Sequence, residues 1–148
     1  MRTFLIGTVV LTAAAALAAC GSSDSTGPGT ARVGGNWTFQ EVLASSSLGV
    51  SCADTAQMTL SQTGQVVTGN YAQVGTCTAG GQVFDNSGNG VISGGQVVGD
   101  SIRFDEDFCE YRGTLTGTPA TSMAGTVNCI DTTTSPPDTI PGSWTMTR

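Results

Sequence analysis

Side chains able to do acid–base or metal chemistry are few in this chain of 148 residues. It has no histidine, the residue that most often serves as a general base or a metal ligand near neutral pH. It also has no lysine and no Gly-x-Ser-x-Gly nucleophile motif. Catalysis would have to rest on the eleven aspartates and glutamates. We therefore predict that the protein is not an enzyme and has no cofactor.

Acidic residues are most concentrated at Asp105-Glu106-Asp107, with Glu110 close behind. Adjacent residues of a strand face opposite sides, so three in a row converge only on a turn. The simpler interpretation is a solvated hairpin tip. A Ca²⁺ site, built from hard oxygen ligands, is the alternative.

A second oxygen-rich phrase, Asp85-Asn86-Ser87-Gly88-Asn89-Gly90, has the ligand order of a Ca²⁺-binding loop. Asp85, Ser87 and Asn89 would supply oxygens, but Gln96 stands where a bidentate glutamate is required. A glycine-rich hairpin turn explains the same residues. We therefore predict no metal and keep these three residues as weak Ca²⁺ candidates.

An even set of four cysteines follows residue 50: Cys52, Cys77, Cys109 and Cys129. An even number in an exported protein is typical of disulfides, and four cysteines allow three connectivities. A hairpin folded about Gly64-Gln65 brings Cys52 opposite Cys77, and one folded about Pro119 brings Cys109 opposite Cys129. Directly paired positions on antiparallel strands are close enough to bridge. We predict these two disulfides, each near the open end of its hairpin.

The elements that must position these residues are short β-strands. From Asn36 onward, apolar and polar residues alternate between Gly-rich turns, and no stretch has helical apolar spacing. The sequence predicts an all-β domain, an antiparallel up-and-down meander that forms a small barrel of eight or nine strands. A β-sandwich is the alternative.

The N-terminus has the layout of a secretory signal, with Arg2 followed by an apolar stretch that ends in small residues. The stretch is shorter than the ~20 apolar residues that a spanning helix needs. Its last four residues, Leu17-Ala18-Ala19-Cys20, resemble the lipobox of bacterial lipoproteins. In that family the cysteine thiol receives a diacylglyceryl group and a peptidase cuts just before it. The resemblance implies a signal peptide over 1–19 and a membrane anchor on Cys20.

Residues 20–35 are mostly small, polar or glycine, which is typical of a flexible linker. The linker leaves 36–148 as a single β-barrel domain. Gly21 follows the lipobox cysteine in place of the aspartate associated with inner-membrane retention in enteric bacteria. We therefore predict a lipid-anchored protein of the bacterial cell envelope, with the outer membrane favoured.

Both ends of the predicted barrel carry a Gly-x-Trp-Thr phrase, beginning at Gly35 and Gly142. The first and last strands of a meander barrel must pair, and matching phrases fit that closure. Gly35, Trp37 and Arg148 resemble the lipocalin and avidin-type barrels of the calycin group, in which a Trp plugs the closed end and an Arg stacks on it. The resemblance implies that Trp37 plugs one end of the barrel with Arg148 stacked on it. Trp144, in the matching phrase of the last strand, belongs to the predicted barrel closure. Ordinary core packing of the two tryptophans is the alternative.

The acidic balance, with a formal net charge of −6, excludes nucleic-acid binding through a basic patch. We expect a non-enzymatic protein that binds a small apolar ligand inside its barrel. A structural or interaction lipoprotein with a filled core and no ligand is the alternative, and the oligomeric state is left open. The residues predicted to face the ligand are Phe39, Met58, Leu60, Tyr71, Leu115, Met123 and Val127.

Overall fold

The structure is a computed structural model that describes residues 31–148. The predicted signal peptide, Cys20 and the linker as far as residue 30 lie outside the described residues. Within residues 31–148, no helix has the length and hydropathy needed to cross a membrane.

Nine antiparallel strands form the described fold. They are β1 Gly35–Ser45, β2 Val50–Thr63, β3 Val66–Ala79, β4 Gln82–Asp85, β5 Gly88–Val98, β6 Ser101–Glu106, β7 Cys109–Thr116, β8 Ser122–Asp131 and β9 Asp138–Thr147.

Eight of these strands close into a barrel, and the ring closes where β1 pairs with β9. Strand β4 pairs with the end of β3 and stands outside the ring. The predicted up-and-down barrel is therefore confirmed, with one strand beyond the closed eight.

Strict alternation makes these segments strands. From Trp37 to Ser45, every second residue of β1 is buried, and its neighbours face water. The β2–β3 hairpin turns at Gly64, whose φ of +61° lies in the left-handed region that favours glycine. The apolar set of each strand therefore fills the barrel while Thr, Ser and Gln cover its outside.

The two predicted hairpin registers and both disulfides are confirmed. Strands β2 and β3 pair Cys52 with Cys77, whose Cα atoms are 4.0 Å apart. Strands β7 and β8 pair Cys109 with Cys129, at 3.9 Å. Both bridges lie at the end of the barrel where these hairpins open, and we call this end the mouth.

The opposite end is closed by Trp37 and Arg148. The Trp37 indole donates a hydrogen bond to the Val33 carbonyl at 2.7 Å, and the Arg148 guanidinium lies 4.4 Å from the Trp37 ring. Arg148 also donates to the carbonyl of Gly34 at 2.9 Å, beside the start of β1 at Gly35. We call this end the closed end.

The packed domain includes residues 31–34, which the sequence places in the linker. Ala31 and Val33 are buried in the core, and the Arg32 carbonyl accepts a hydrogen bond from the Ala120 amide. Two small apolar residues among glycines show no strand or helix period, so the sequence alone does not reveal that they pack under the barrel.

Four aromatic rings fill the middle of the barrel. Trp144 lies among them and pairs with Glu41 across the β1–β9 seam, so it is a central core residue rather than part of the closed end. Its indole donates to the Thr126 carbonyl at 3.0 Å. The rings are Phe39, Phe104, Tyr111 and Trp144.

Candidate functional site

A cavity of about 480 Å³ opens at the mouth. Tyr111 lies in its wall and stacks on Phe104, with ring centroids 4.6 Å apart, so the aromatic cluster lies directly behind it. We call this cavity the mouth pocket. Its lining includes Glu41, Leu43, Tyr71, Gln73, Asn86, Glu106, Phe108, Tyr111, Ile130 and the cysteines of both disulfides.

The acidic side chains reach the interior through ordinary strand alternation. Glu41 stands at an inward position of β1 between Phe39 and Leu43. Asp54 stands at an inward position of β2 between Cys52 and Ala56. The two residues face each other as a cross-strand pair. A pair of carboxyl groups is therefore built into a wall that is otherwise apolar.

Each of these two carboxyl groups has a buried oxygen with no hydrogen-bond partner. Glu41 is 6% exposed and Asp54 is 4% exposed. The orphan atoms are Oε2 of Glu41 and Oδ1 of Asp54. An unpaired buried polar atom costs free energy, and a charged one costs more. Glu41 lines the mouth pocket, so its Oε2 is an acceptor there that the described side chains do not satisfy, whereas Oδ1 of Asp54 lies against Gly75 outside the lining.

Glu106 and two tyrosines complete the polar part of the pocket. Burial raises the pKa of Glu41 to about 7, although a hydrogen bond with Tyr111 opposes the shift. Burial likewise raises the pKa of Glu106, opposed by hydrogen bonding to Tyr71 and Tyr111. Burial and the neighbouring carboxylates raise the pKa of Tyr111, so its phenol stays protonated and able to donate.

Two glycines make room for these side chains. A Cβ at Gly75, opposite Asp54 on β3, would overlap the Asp54 carboxylate. A Cβ at Gly90, opposite Tyr71 on β5, would overlap the tyrosine ring. The absence of side chains at these positions lets Asp54 and Tyr71 lie flat against the wall.

The weak Ca²⁺ candidates form part of the rim. Asp85 accepts a hydrogen bond from the Ser87 amide at 3.0 Å, and hydrogen bonds from the Ser87 hydroxyl and amide lower the pKa of Asp85. Asn86 reaches inward and donates to Oδ2 of Asp54 at 3.0 Å. Asn89 follows on β5. This segment therefore serves as a wall of the mouth pocket and connects it to Asp54.

The acidic run at 105–107 is a hairpin tip, as its position between two strands predicts. Asp105 faces outward, Glu106 faces the pocket and Asp107 begins the turn with a φ of +47°. The three side chains do not converge. Within residues 31–148, no three Asp, Glu, His or Cys side chains are arranged to hold a metal ion.

Of the seven residues predicted to face a ligand, Tyr71 lines the mouth pocket. The other six are buried in the core and are not part of that lining. Sequence reasoning missed Glu41 and Asp54, although a signal for both is present. Each has the same strand parity as buried apolar neighbours, and a charge at such a position marks a barrel interior with a polar region.

The mouth pocket offers both hydrogen-bond donors and acceptors to a bound molecule. Its described lining combines carboxyl groups, phenols and amides, and the four cysteines at its rim form two disulfides. Comparison with known protein families, curated proteins and solved structures found no match. The function is therefore argued from the site itself.

Proposed function

We propose that this protein is a lipid-anchored lipoprotein of the bacterial envelope, with the outer membrane favoured, that binds a small ligand in its mouth pocket without catalysis. The anchor is supported by Leu17-Ala18-Ala19-Cys20. The binding function is supported above all by one observation: the buried carboxyl group of Glu41, whose Oε2 has no hydrogen-bond partner, lines an open cavity. A cavity of this size suits a small molecule.

The structure shifts the expected chemistry of the ligand away from a purely apolar one. Most of the apolar residues that would line a ligand cavity pack against each other in the core. The mouth pocket combines polar walls with a few apolar groups, such as Leu43 and Ile130. A ligand with both a polar and an apolar part therefore fits it best.

The test compares two tryptophan variants on β5. Gly88 pairs with Gln73 and lines the pocket, and a Cβ there meets nothing within 4 Å, so Gly88→Trp fills the mouth. Val91 is 70% exposed on the outer face, so Val91→Trp is the matched control. The full chains are purified from membranes and their co-purifying small molecules identified by native mass spectrometry. Loss of a bound molecule in Gly88→Trp alone supports the proposal, and an unchanged set in both contradicts it.

The alternative is an interaction lipoprotein whose barrel holds no ligand. Exposed apolar side chains on β4 and beside the disulfides favour it, because such residues often mark contacts between proteins. They include Val83, Phe84, Phe108 and Ile130. Protein crosslinks at these positions, with no small molecule bound in the wild type, would support this alternative.

A further inference from the structure

We infer that the mouth pocket recognises a small organic cation with a primary ammonium group at its head, an inference that rests on the proposed binding function. The ammonium group would donate to the orphan Oε2 of Glu41, which lines the mouth pocket. This atom is buried and has no hydrogen-bond partner. A charged donor satisfies such acceptors more strongly than a neutral one.

The described lining of the mouth pocket contains carboxyl groups and no basic side chain. Arg103 and Arg112 lie on outward positions of β6 and β7, where Arg112 pairs with Glu110. Arg148 is held over Trp37 at the closed end. No arginine lies in the lining of the mouth pocket, and the whole chain has no lysine. A cation bound beside these buried carboxyl groups would favour their ionised form, because an opposite charge close to a carboxyl group offsets the cost of its burial.

The free oxygen of Glu41 favours an ammonium over a guanidinium. A guanidinium binds best when both oxygens of one carboxylate accept its paired N–H groups. Glu41 already shares its carboxylate with Tyr111, and only Oε2 has no partner. A single free oxygen suits one of the diverging N–H donors of an ammonium.

The remaining walls fit the rest of such a ligand. The Tyr71 and Tyr111 rings flank the acidic wall, and a ring face attracts a cation. Toward solvent the lining becomes apolar at Leu43, Phe108 and Ile130. An arylalkylamine would place its ammonium on the carboxyl groups and its ring against this apolar rim.

The experiment titrates the full chain with four probes by calorimetry. The probes are 2-phenylethylamine, 2-phenylethanol (the same shape without the charge), 2-phenylethylguanidine and calcium chloride. We expect the amine to bind about tenfold or more tightly than the alcohol, since a hydrogen bond to a charged group contributes about 1.5–3 kcal/mol. The heat measured with the Gly88→Trp variant gives the background that comes from probe molecules entering the detergent.

Paired variants assign the selectivity to the pocket. Glu41→Gln and Glu106→Gln keep the side-chain shape and remove inward charge, whereas Asp105→Asn removes an outward charge one residue away from Glu106. We expect Glu41→Gln to weaken amine binding about tenfold or more, with a smaller loss for Glu106→Gln and none for Asp105→Asn. Affinity for the alcohol should not change. Glu41→Gln and Glu106→Gln are measured separately, so the inference can still be tested if one of the two variants fails to fold.

The outcomes separate this inference from the proposed function. Equal affinity for amine and alcohol, tighter binding of the guanidine, or competition by calcium overturns the ammonium preference while binding in the mouth stands. If none of the three organic probes binds, the identity of the molecule lost in Gly88→Trp decides. An amine supports the inference, and a neutral or acidic compound overturns it. If no molecule is lost either, the inference and the proposed function both fail.

Discussion

At the scale of single residues, Glu41 and Asp54 show how a barrel can carry a polar site without interrupting its strands. Both occupy positions whose neighbours on the same face are apolar, so alternation alone places them inside. Alternation was available from the sequence, which is why Tyr71 could be assigned inward. The orphan oxygens were not predictable, because they depend on which partners reach each carboxyl group across the barrel.

The buried carboxyl of Glu41 should make the folded state more stable in mild acid than at neutral pH. Its pKa is raised to about 7 by burial, so the folded state holds this proton after the unfolded chain has lost it. The contribution is complete below the unfolded value of about 4.3 and is lost as pH rises through about 7, up to roughly 3 kcal/mol. Glu41→Gln should remove this dependence of the unfolding free energy on pH, and it should be more stable than the wild type at neutral pH.

Denaturant unfolding at several pH values from 5 to 8 measures the difference between wild type and Glu41→Gln. Asp54, Glu106 and Tyr111 also face this carboxyl and contribute to the wild-type slope, so the difference is the informative quantity. Glu110→Gln is the matched control, because Glu110 lies at the surface beside Arg112. An equal pH slope in wild type and Glu41→Gln would contradict the argument.

Gly75 should be required for the placement of Asp54. In Gly75→Ala the new Cβ overlaps the Asp54 carboxylate and lies 2.8 Å from the Ala53 carbonyl. Relief of this overlap moves Asp54 and breaks its hydrogen bond from Asn86, so we expect a loss of about 2 kcal/mol in unfolding free energy. Gly88→Ala, where a Cβ meets nothing within 4 Å, should change stability by less than about 0.5 kcal/mol. Equal effects of the two substitutions would count against this role.

At the scale of elements, the cysteine positions made the hairpin registers predictable. Pairing Cys52 with Cys77 fixes every other pair of β2 and β3, including Met58 with Tyr71. The position of β4 outside the barrel was harder to predict, because its residues from Gln82 to Asp85 are all exposed and show no buried face. It pairs with the mouth end of β3 and carries the segment that supplies Asn86.

The segment before β1 should contribute to stability as a core element. Val33 is fully buried, and its carbonyl accepts the Trp37 indole. Val33→Ala removes buried apolar volume, so we expect a loss of about 2 kcal/mol in unfolding free energy. Val42→Ala makes the same change on the outer face of β1, where the side chain is 53% exposed, and should cost far less. If Val33→Ala leaves the unfolding free energy unchanged, the result would support the linker prediction for residues 31–34 instead.

At the scale of the whole molecule, the two barrel ends have different roles. The closed end holds the start of the packed chain at Ala31, and the mouth lies at the far end of the strands. If Cys20 carries the lipid, the chain joins the barrel at its closed end. The mouth pocket would then face away from the membrane, and its ligand would enter from the aqueous side.

A matched pair of labels tests this orientation. Gln65 lies in the β2–β3 turn at the closed end, and Gln82 begins β4 at the mouth; both are exposed. A fluorophore at Gln65 should be quenched more strongly by nitroxide lipids than one at Gln82, because β3, which joins the two sites, runs for about 40 Å. Cys20→Ser should abolish quenching at both sites by releasing the protein. Stronger quenching at Gln82 would place the mouth at the membrane and make a lipid-derived amine the ligand to seek.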